Sequence, residues 1–226
     1  MTAILLTGAT RGIGAACADA LAGQNLFGTG SADGDLADPA TPAQLWRAAL
    51  DALDGRVDVL INNAGVFEAT PLDSADDVWL AGWERTLQVN LTAAAQLCRL
   101  AVRHFQARGG GRIVNVASRA AYRGDSPAHW HYAAAKAGMV AMTKTIARGY
   151  ARDGIYAFAV CPGFTMTGMA DDYLASRGGA ALLADIPLGK VADPAEVASA
   201  VRYLALEAPP SMTGAVLDIN GASYVR

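Results

Sequence analysis

The stretch AILLTGATRGIG, residues 3–14, places a short apolar run directly before a turn with three glycines. Residues 3–6 have the pattern of a buried strand, and residues 15–22 have the apolar spacing of a helix. Glycines at such a junction permit a tight turn and let the backbone approach a pyrophosphate, which the first N–H groups of the helix attract. The turn therefore predicts nucleotide binding. Its Gly-x-x-x-Gly-x-Gly spacing is weak evidence alone, and a glycine turn without a ligand is the alternative.

The rest of the chain alternates in the same way between short apolar runs and longer helical patterns. Strands are predicted at residues 57–61, 112–117, 156–160 and 215–219, with a glycine-broken second strand at 26–31. Helices are predicted at residues 79–108, 131–152 and 194–206. Strands that alternate with helices predict an α/β fold with a doubly wound, mostly parallel sheet and helices on both faces.

Composition narrows the class of protein. The chain of 226 residues is 53% hydrophobic and 17% charged, which excludes disorder as its main state and fits a single domain, residues 1–226. A net charge of −3 leaves no basic excess, so we expect no nucleic-acid partner. The sequence has neither an apolar run of the roughly 18–20 residues that a membrane span needs nor a basic leader. Three separated cysteines, Cys17, Cys98 and Cys161, favour a reducing, cytoplasmic location.

Three residues suggest proton-transfer chemistry. Tyr132 and Lys136 are four residues apart on a predicted helix, so their side chains project from one face. A phenol pKa near 10 is too high for a general base at neutral pH, but a lysine ammonium and a positively charged nicotinamide ring would lower it. Ser118 follows a predicted strand, where its hydroxyl can hydrogen-bond a substrate carbonyl. The Tyr-x-x-x-Lys spacing is common by chance, but the upstream glycine turn and Ser118 favour a catalytic group.

Further motifs follow the glycine turn in a fixed order along the chain. They are Asp35-Leu36, Asn62-Asn63-Ala64-Gly65, Asn90 within Val89-Asn90-Leu91, the set Ser118, Tyr132 and Lys136, and the segment Pro162-Gly163-Phe164-Thr165-Met166-Thr167. In this order, and over nearly its whole length, the chain resembles the short-chain dehydrogenase/reductase family. Among subgroups it is most similar to reductases of the 3-oxoacyl type. The resemblance implies a Rossmann-like fold.

The resemblance also implies an oxidoreductase that transfers a hydride between C4 of a nicotinamide, in NAD or NADP, and the carbon of an alcohol or ketone. Tyr132 would exchange the hydroxyl proton, and Lys136 would lower the pKa of Tyr132 and hold the ribose hydroxyls. Ser118 would orient the substrate oxygen, and Asn90 would hold a water in a proton relay behind Lys136.

The family pattern also assigns the cofactor pocket and the assembly. The cofactor-binding residues that it implies are Gly8, Thr10, Arg11, Gly12, Ile13, Gly14, Asp35, Leu36, Asn62, Ala64, Gly65, Tyr132, Lys136, Pro162, Gly163, Thr165 and Thr167. It implies a small-molecule alcohol or ketone substrate, and a homotetramer or dimer built through the helices at 79–108 and 131–152. The competing hypothesis is a cofactor-binding regulatory or sensor protein without turnover.

The chain departs from the family between Asn25 and Asn62, where it is unusually short, so the second helix of the nucleotide-binding half is expected to be missing. Either the deletion has no effect, or it opens the adenosine pocket and weakens cofactor binding. An acidic residue after the second strand binds the ribose of NAD, whereas a basic one accepts the phosphate of NADP. Counting places Ala32 or Asp33 there, which favours NAD, although Arg11 favours NADP.

Two segments border the expected substrate site. Between Ser118 and Tyr132, Arg119 or Arg123 would recognise an anionic substrate, or they would simply be solvated. His129 and His131 are two possible ligands without an evident third, so no metal is expected. Residues 168–188 are predicted to form a substrate lid with a hinge at Gly178-Gly179.

Overall fold

Within residues 1–166 and 179–226, which the computed structural model describes, parallel strands form one six-stranded sheet. The strands are β1 (Ala3–Thr7), β2 (Asn25–Thr29), β3 (Val59–Asn62), β4 (Gly111–Val116), β5 (Ile155–Pro162) and β6 (Val216–Ile219). Their order across the sheet is β2-β1-β3-β4-β5-β6. Because all strands run in one direction, their carboxyl ends meet at one edge, where open α/β folds bind ligands.

Helices cover both faces of this sheet. They are α1 (Gly12–Ala20), α2 (Thr41–Ala52), α3 (Asp76–Leu87), α4 (Ala93–Arg108), α5 (Ala120–Arg123), α6 (Trp130–Tyr150), α7 (Gly179–Ala184) and α8 (Pro194–Leu206). A π-helical turn, Gln88–Thr92, joins α3 to α4 without a break. The doubly wound α/β fold expected from the sequence is confirmed.

The core has two halves, one on each face of the sheet. On the face covered by α1 and α8, Cys17 and Val197 pack against Ile4. On the face covered by α2, α4 and α6, Leu97 packs in the cluster that contains Leu5. Successive side chains of a strand point to opposite faces, so neighbouring residues of β1 enter different halves. This burial on both faces explains why the strands are continuous apolar runs in the sequence.

Two helical features were missed in the sequence. The first is α2, although Leu45, Trp46, Ala49 and Leu53 are buried at helical spacing. The second is the π turn within the helix predicted at 79–108, which begins three residues earlier at Asp76. Apolar periodicity changes little across a single wide turn, so hydrophobic spacing alone does not reveal it.

The shortened region lies between β2 and α2. Within the described residues, β2 pairs with β1 alone, and residues 30–40 contain neither helix nor strand. The expectation of a missing helix needs one correction, because α2 does connect β2 to β3. Within the described residues, α2 is the one element between β2 and β3.

The substitution Leu97→Ala is expected to lower the free energy of unfolding by about 2–5 kcal/mol, because it leaves a cavity in the core between α4 and the sheet. Leu97 is 1% exposed, whereas Leu72 is 69% exposed. Leu72→Ala is therefore the matched control, with an expected change of at most about 0.5 kcal/mol. Urea unfolding followed by circular dichroism measures both. Equal losses in the two variants would contradict this placement of the core.

Candidate active site

The glycine turn between β1 and α1 has a backbone conformation that favours glycine and leaves the start of the helix open. Gly8 and Gly12 have φ angles of 68° and 54°, in the left-handed region that favours glycine. Among the described residues, no side chain caps the N-terminus of α1, which follows the exposed Arg11. Phosphate oxygens can therefore accept hydrogen bonds from the first N–H groups of the helix.

Gly14 and Asn63 hold this turn against the end of β3. A Cβ on Gly14 would lie 1.8 Å from the carbonyl oxygen of Gly8, so only glycine fits. Asn63 Nδ2 donates to the carbonyl oxygens of Thr7 and Gly8 at 3.1 and 2.9 Å. Thr7 Oγ1 accepts from the backbone N–H groups of Asn63 and Ala64, both at 3.1 Å. Thr7 and Asn63 were missed as site residues, although both lie within the quoted motifs.

Unlike the side chain of Asn63, the side chain of Asn62 lies in the core. Its Nδ2 donates to Asn115 Oδ1 at 2.8 Å and to Cys98 Sγ at 3.3 Å. Asn115 Nδ2 in turn donates to Thr143 Oγ1 at 2.8 Å. This chain of bonds, which we call the buried polar ladder, connects α4, β3, β4 and α6. Asn62 thus supports the central sheet, and its contact with an adenosine stays a prediction.

The structure brings Ser118, Tyr132 and Lys136 together beyond the carboxyl end of β4. Ser118 lies close enough to the phenol of Tyr132 to lower its pKa. Lys136 Nζ, on the next turn of α6, donates to the carbonyl oxygen of Val116 at 2.8 Å and lies 5.8 Å from the centroid of the Tyr132 ring. The structure therefore brings together the three groups that the sequence placed in one site.

Burial sets the protonation of this group. It raises the pKa of Tyr132 to about 12, against the lowering effect of the neighbouring Ser118. Burial also lowers the pKa of Lys136 to about 8. Burial therefore dominates the pKa of Tyr132 in the protein alone, and the lowering expected from Lys136 together with a nicotinamide ring stays a prediction. Lowering this pKa requires a further positive charge nearby, such as the nicotinamide ring named in the expectation. Cys161, also buried beside the group, has its thiol pKa raised to about 11.

Asn90 lies in the π turn, beside this group. Its Oδ1 accepts from the N–H of Val66, and its Nδ2 donates to the carbonyl oxygen of Val66, both at 2.8 Å. A Cβ on Gly65 would lie 3.1 Å from Asn90 Oδ1 and 3.6 Å from Lys136 Nζ. Asn90 therefore fixes the backbone that follows β3 next to the lysine. The water of the expected proton relay stays a prediction.

Gly163 and Thr165, which are also expected at the cofactor, lie along the same edge. Gly163 N–H donates to the carbonyl oxygen of Ile219 at 2.9 Å, which fixes the segment after β5 to β6. Thr165 forms an isolated parallel bridge with Ala192. Thr167 and residues 168–178 of the expected lid lie outside the described residues. The other part of that lid contains α7.

Arg119 and Arg123 are neither fully solvated nor free for a ligand. Both contact the carboxylate of Asp185, at 3.4 and 2.7 Å, and the side chain of Arg119 is only 10% exposed. The guanidinium of Arg119 also lies 4.7 Å from the centre of the Phe164 ring. This cluster joins α5 to the residue that follows α7, a long-range contact that the sequence did not predict.

An aromatic pair next to Tyr132 was also missed. Phe67 stacks on His129 with ring centroids 3.9 Å apart, and its ring meets Tyr132 edge-on at 4.8 Å. His131 is buried, and its Nε2 lies 2.9 Å from Thr70 Oγ1. Neither histidine belongs to a group of three possible metal ligands within the described part of the chain. In the sequence, the one signal for this aromatic side of the site was the predicted closeness of His129 to Tyr132.

Comparison with known proteins settles the family. A family model described as enoyl-(acyl carrier protein) reductase matches residues 24–222. The 3-oxoacyl-[acyl-carrier-protein] reductase FabG of Vibrio harveyi is 34% identical over 240 residues, covering 98% of this chain and 96% of the relative. The chain belongs to the short-chain dehydrogenase/reductase family. FabG of Escherichia coli (strain K12) is 32% identical over 241 residues, with the same coverage.

Solved structures of this family superpose closely on the chain. A provisionally assigned NAD(P)-dependent gluconate 5-dehydrogenase of Beutenbergia cavernae, with bound NADP at low occupancy, has a TM-score of 0.87 and 30% identity and covers 98% of this chain and 96% of that one. A provisionally assigned gluconate dehydrogenase of Agrobacterium tumefaciens has a TM-score of 0.87 and 25% identity, with coverage of 100% and 97%. The chain is thus a nicotinamide-dependent oxidoreductase acting on CH–OH or C=O groups.

Of the helices in the described part of the chain, none has both the length and the apolar character that a bilayer crossing needs. The short-chain dehydrogenase/reductase fold accounts for the placement of the site at the carboxyl ends of the strands.

The substitution Gly14→Ala is expected to weaken NAD(P)H binding at least about tenfold, equivalent to about 1.4 kcal/mol, because the new methyl group displaces the turn at Gly8. Gly149→Ala is the matched control, since a Cβ there has no atom within 4 Å. Titration followed by nicotinamide fluorescence measures the dissociation constant in both variants. An unchanged constant in Gly14→Ala would place the pyrophosphate elsewhere.

Proposed function

We propose that the chain interconverts a ketone and a secondary alcohol, with Tyr132 as the proton-transfer group and Ser118, Lys136 and Asn90 completing the site. The observation that supports this most directly is the position of Lys136 one turn away from Tyr132 on α6, with its Nζ 5.8 Å from the centroid of the Tyr132 ring and Ser118 beside the same phenol. When bound, the nicotinamide supplies or accepts the hydride. The protein supplies orientation and the proton.

The protonation states suit this role. Because the pKa of Tyr132 is raised to about 12, its phenol holds its proton at neutral pH and can donate it to a carbonyl oxygen. Ser118, which lies beside that phenol, is proposed to orient the same oxygen. Lys136, with a pKa lowered to about 8, is mostly charged at pH 7 and stabilises the phenolate that forms.

The cofactor is proposed to lie along the carboxyl edge of the sheet, from the glycine turn to the segment after β5. We favour NAD over NADP, because Asp33 lies where the ribose is expected. Its Oδ2 accepts from the N–H of Gly30, directly after β2, at 2.7 Å. A carboxylate there repels a 2′-phosphate. Arg11 and the NADP in the Beutenbergia structure argue for the opposite preference.

The substrate is proposed to be a small alcohol or ketone, with residues 168–188 as its cover. By their names, the relatives reported above act on 3-oxoacyl-[acyl-carrier-protein] or on gluconate. Both kinds of substrate contain a carbon that carries a carbonyl or a hydroxyl group. A regulatory protein without turnover is not favoured.

A homodimer or homotetramer in a reducing, cytoplasmic compartment is also proposed. Exposed apolar side chains on α3 and at the start of α6 support self-association: Val78, Leu80 and Trp130 are 57%, 50% and 52% exposed. The thiols of Cys17, Cys98 and Cys161, which are buried and form no disulfide, support the compartment.

The substitution Tyr132→Phe is expected to reduce kcat by at least about 10²–10⁴-fold, because the proton-transfer group is lost. Cofactor affinity and the unfolding curve are expected to stay close to wild type. Tyr150→Phe, at the far end of the same helix, is the matched control with near-normal turnover. Turnover in Tyr132→Phe equal to wild type would reject the assignment.

Parallel titrations with NADH and NADPH, followed by nicotinamide fluorescence, test the cofactor proposal. Tighter binding of NADH is expected, and Asp33→Ser is expected to narrow the difference by removing the carboxylate. Tighter binding of NADPH by the wild type would contradict the preference for NAD and would indicate that Arg11 determines the choice of cofactor. Binding of neither would reject the dehydrogenase hypothesis for this chain.

A further inference from the structure

The shortened crossover, residues 30–40, raises a structural problem. It follows β2 at the carboxyl edge of the sheet and contains Asp35 and Leu36, the dipeptide that the family resemblance implies to line the adenine and that we call the adenine dipeptide. Within the described residues, no strand pairs with the outer side of β2 and none runs through the crossover. Its position must therefore depend on contacts other than a strand ladder.

Turns fix the local shape of the crossover but do not attach it to the domain. Asp35 Oδ1 accepts from the N–H of Ala37 at 2.9 Å, and Asp38 Oδ1 accepts from the N–H of Ala40 at 2.8 Å. Both bonds span only two residues, as is usual for aspartates in turns. They hold the crossover in a compact form without determining where it lies.

Side chains from the helical region of α3 and α4 make the connection. Gln88 Nε2 donates to the carbonyl oxygen of Leu36 at 3.3 Å, and Gln96 Nε2 donates to that of Pro39 at 3.1 Å. Arg85 lies 3.7 Å from the carboxylate of Asp35, but both side chains are exposed, so this pair contributes little. The bond from Gln88 is half-buried and is made to the backbone of the adenine dipeptide.

Gln88 also has a distinctive place in the chain. It is the first residue of the π turn, and Asn90, two residues later, holds both backbone polar groups of Val66. One irregular turn thus contacts the crossover on one side and the segment beside Lys136 on the other.

We propose that Gln88 is a positioning residue for the cofactor, because its bond to Leu36 fixes the wall that receives the adenine. The inference rests on the proposed function, since it takes the adenine to lie at Asp35-Leu36. If residues 30–40 are already ordered in the free protein, cofactor binding does not have to supply the entropic cost of ordering them. The affinity for the cofactor is higher as a result. Gln88 acts through the backbone of Leu36, without touching the reacting atoms.

The substitution Gln88→Met removes the donor at similar volume. The dissociation constant for whichever of NADH and NADPH binds more tightly is expected to rise about three- to tenfold, as for a half-buried hydrogen bond. The constant for ADP-ribose, which lacks the nicotinamide, is expected to rise by the same factor. Hydrogen exchange of the amides at residues 35–41 in the free protein is expected to become faster.

Matched variants separate positioning from general damage. Gln88→Lys keeps a hydrogen-bond donor and is expected to retain most of the wild-type affinity for the cofactor. Gln88→Glu removes the donor and is expected to behave like Gln88→Met. If Gln88→Met does not fold, Gln88→Glu carries the test. Gln24→Met is the control, because Gln24 Oε1 accepts from Thr2 N–H at the opposite edge of the sheet.

Three results would overturn the inference. The first is unchanged affinity and exchange in folded Gln88→Met. The second is weaker NAD(P)H binding without weaker ADP-ribose binding, which would assign Gln88 to the nicotinamide end. The third is a wild type that binds neither NADH nor NADPH, which rejects the proposed function and this inference with it.

Discussion

The buried polar ladder is the interaction on which the candidate site depends. It links Cys98 of α4, Asn62 of β3, Asn115 of β4 and Thr143 of α6 inside the core. Each bond joins two different elements, and leaving a buried member unpaired costs about 1–3 kcal/mol. The ladder therefore sets the rotation and depth of α6 against the sheet, which apolar packing alone leaves less specific.

The geometry of the site follows from that docking. With α6 fixed against β4, Lys136 reaches the backbone of Val116, and Tyr132 reaches Ser118 just beyond the strand. With α4 fixed to β3, the π turn before it brings Asn90 to Val66. The catalytic group thus depends on polar contacts that lie deeper in the core than the reacting groups themselves.

The sequence was most informative where structure is local. Apolar runs located the strands, glycines located the turn at residues 8–14, and helical spacing put Tyr132 and Lys136 on one face. Long-range and tertiary features escaped it. The contact of Arg119 with Asp185 joins residues 66 positions apart. The raised pKa of Tyr132 depends on burial, which no spacing encodes. The helix α2 had a visible apolar pattern, and the unusual shortness of the region obscured it.

The one-sided pairing of β2 makes the adenosine side of the site separable from the rest. Within the described residues β2 bonds to β1 only, whereas β1, β3 and β4 each have two strand neighbours. Fraying of β2 breaks a single row of hydrogen bonds and leaves the central strands, with Ser118 and α6, in place. A ligand that contacts both the β2 side and the central strands binds only when β2 is paired, so it disfavours this partial unfolding. The affinity of the ligand and the local stability of β2 are therefore thermodynamically linked.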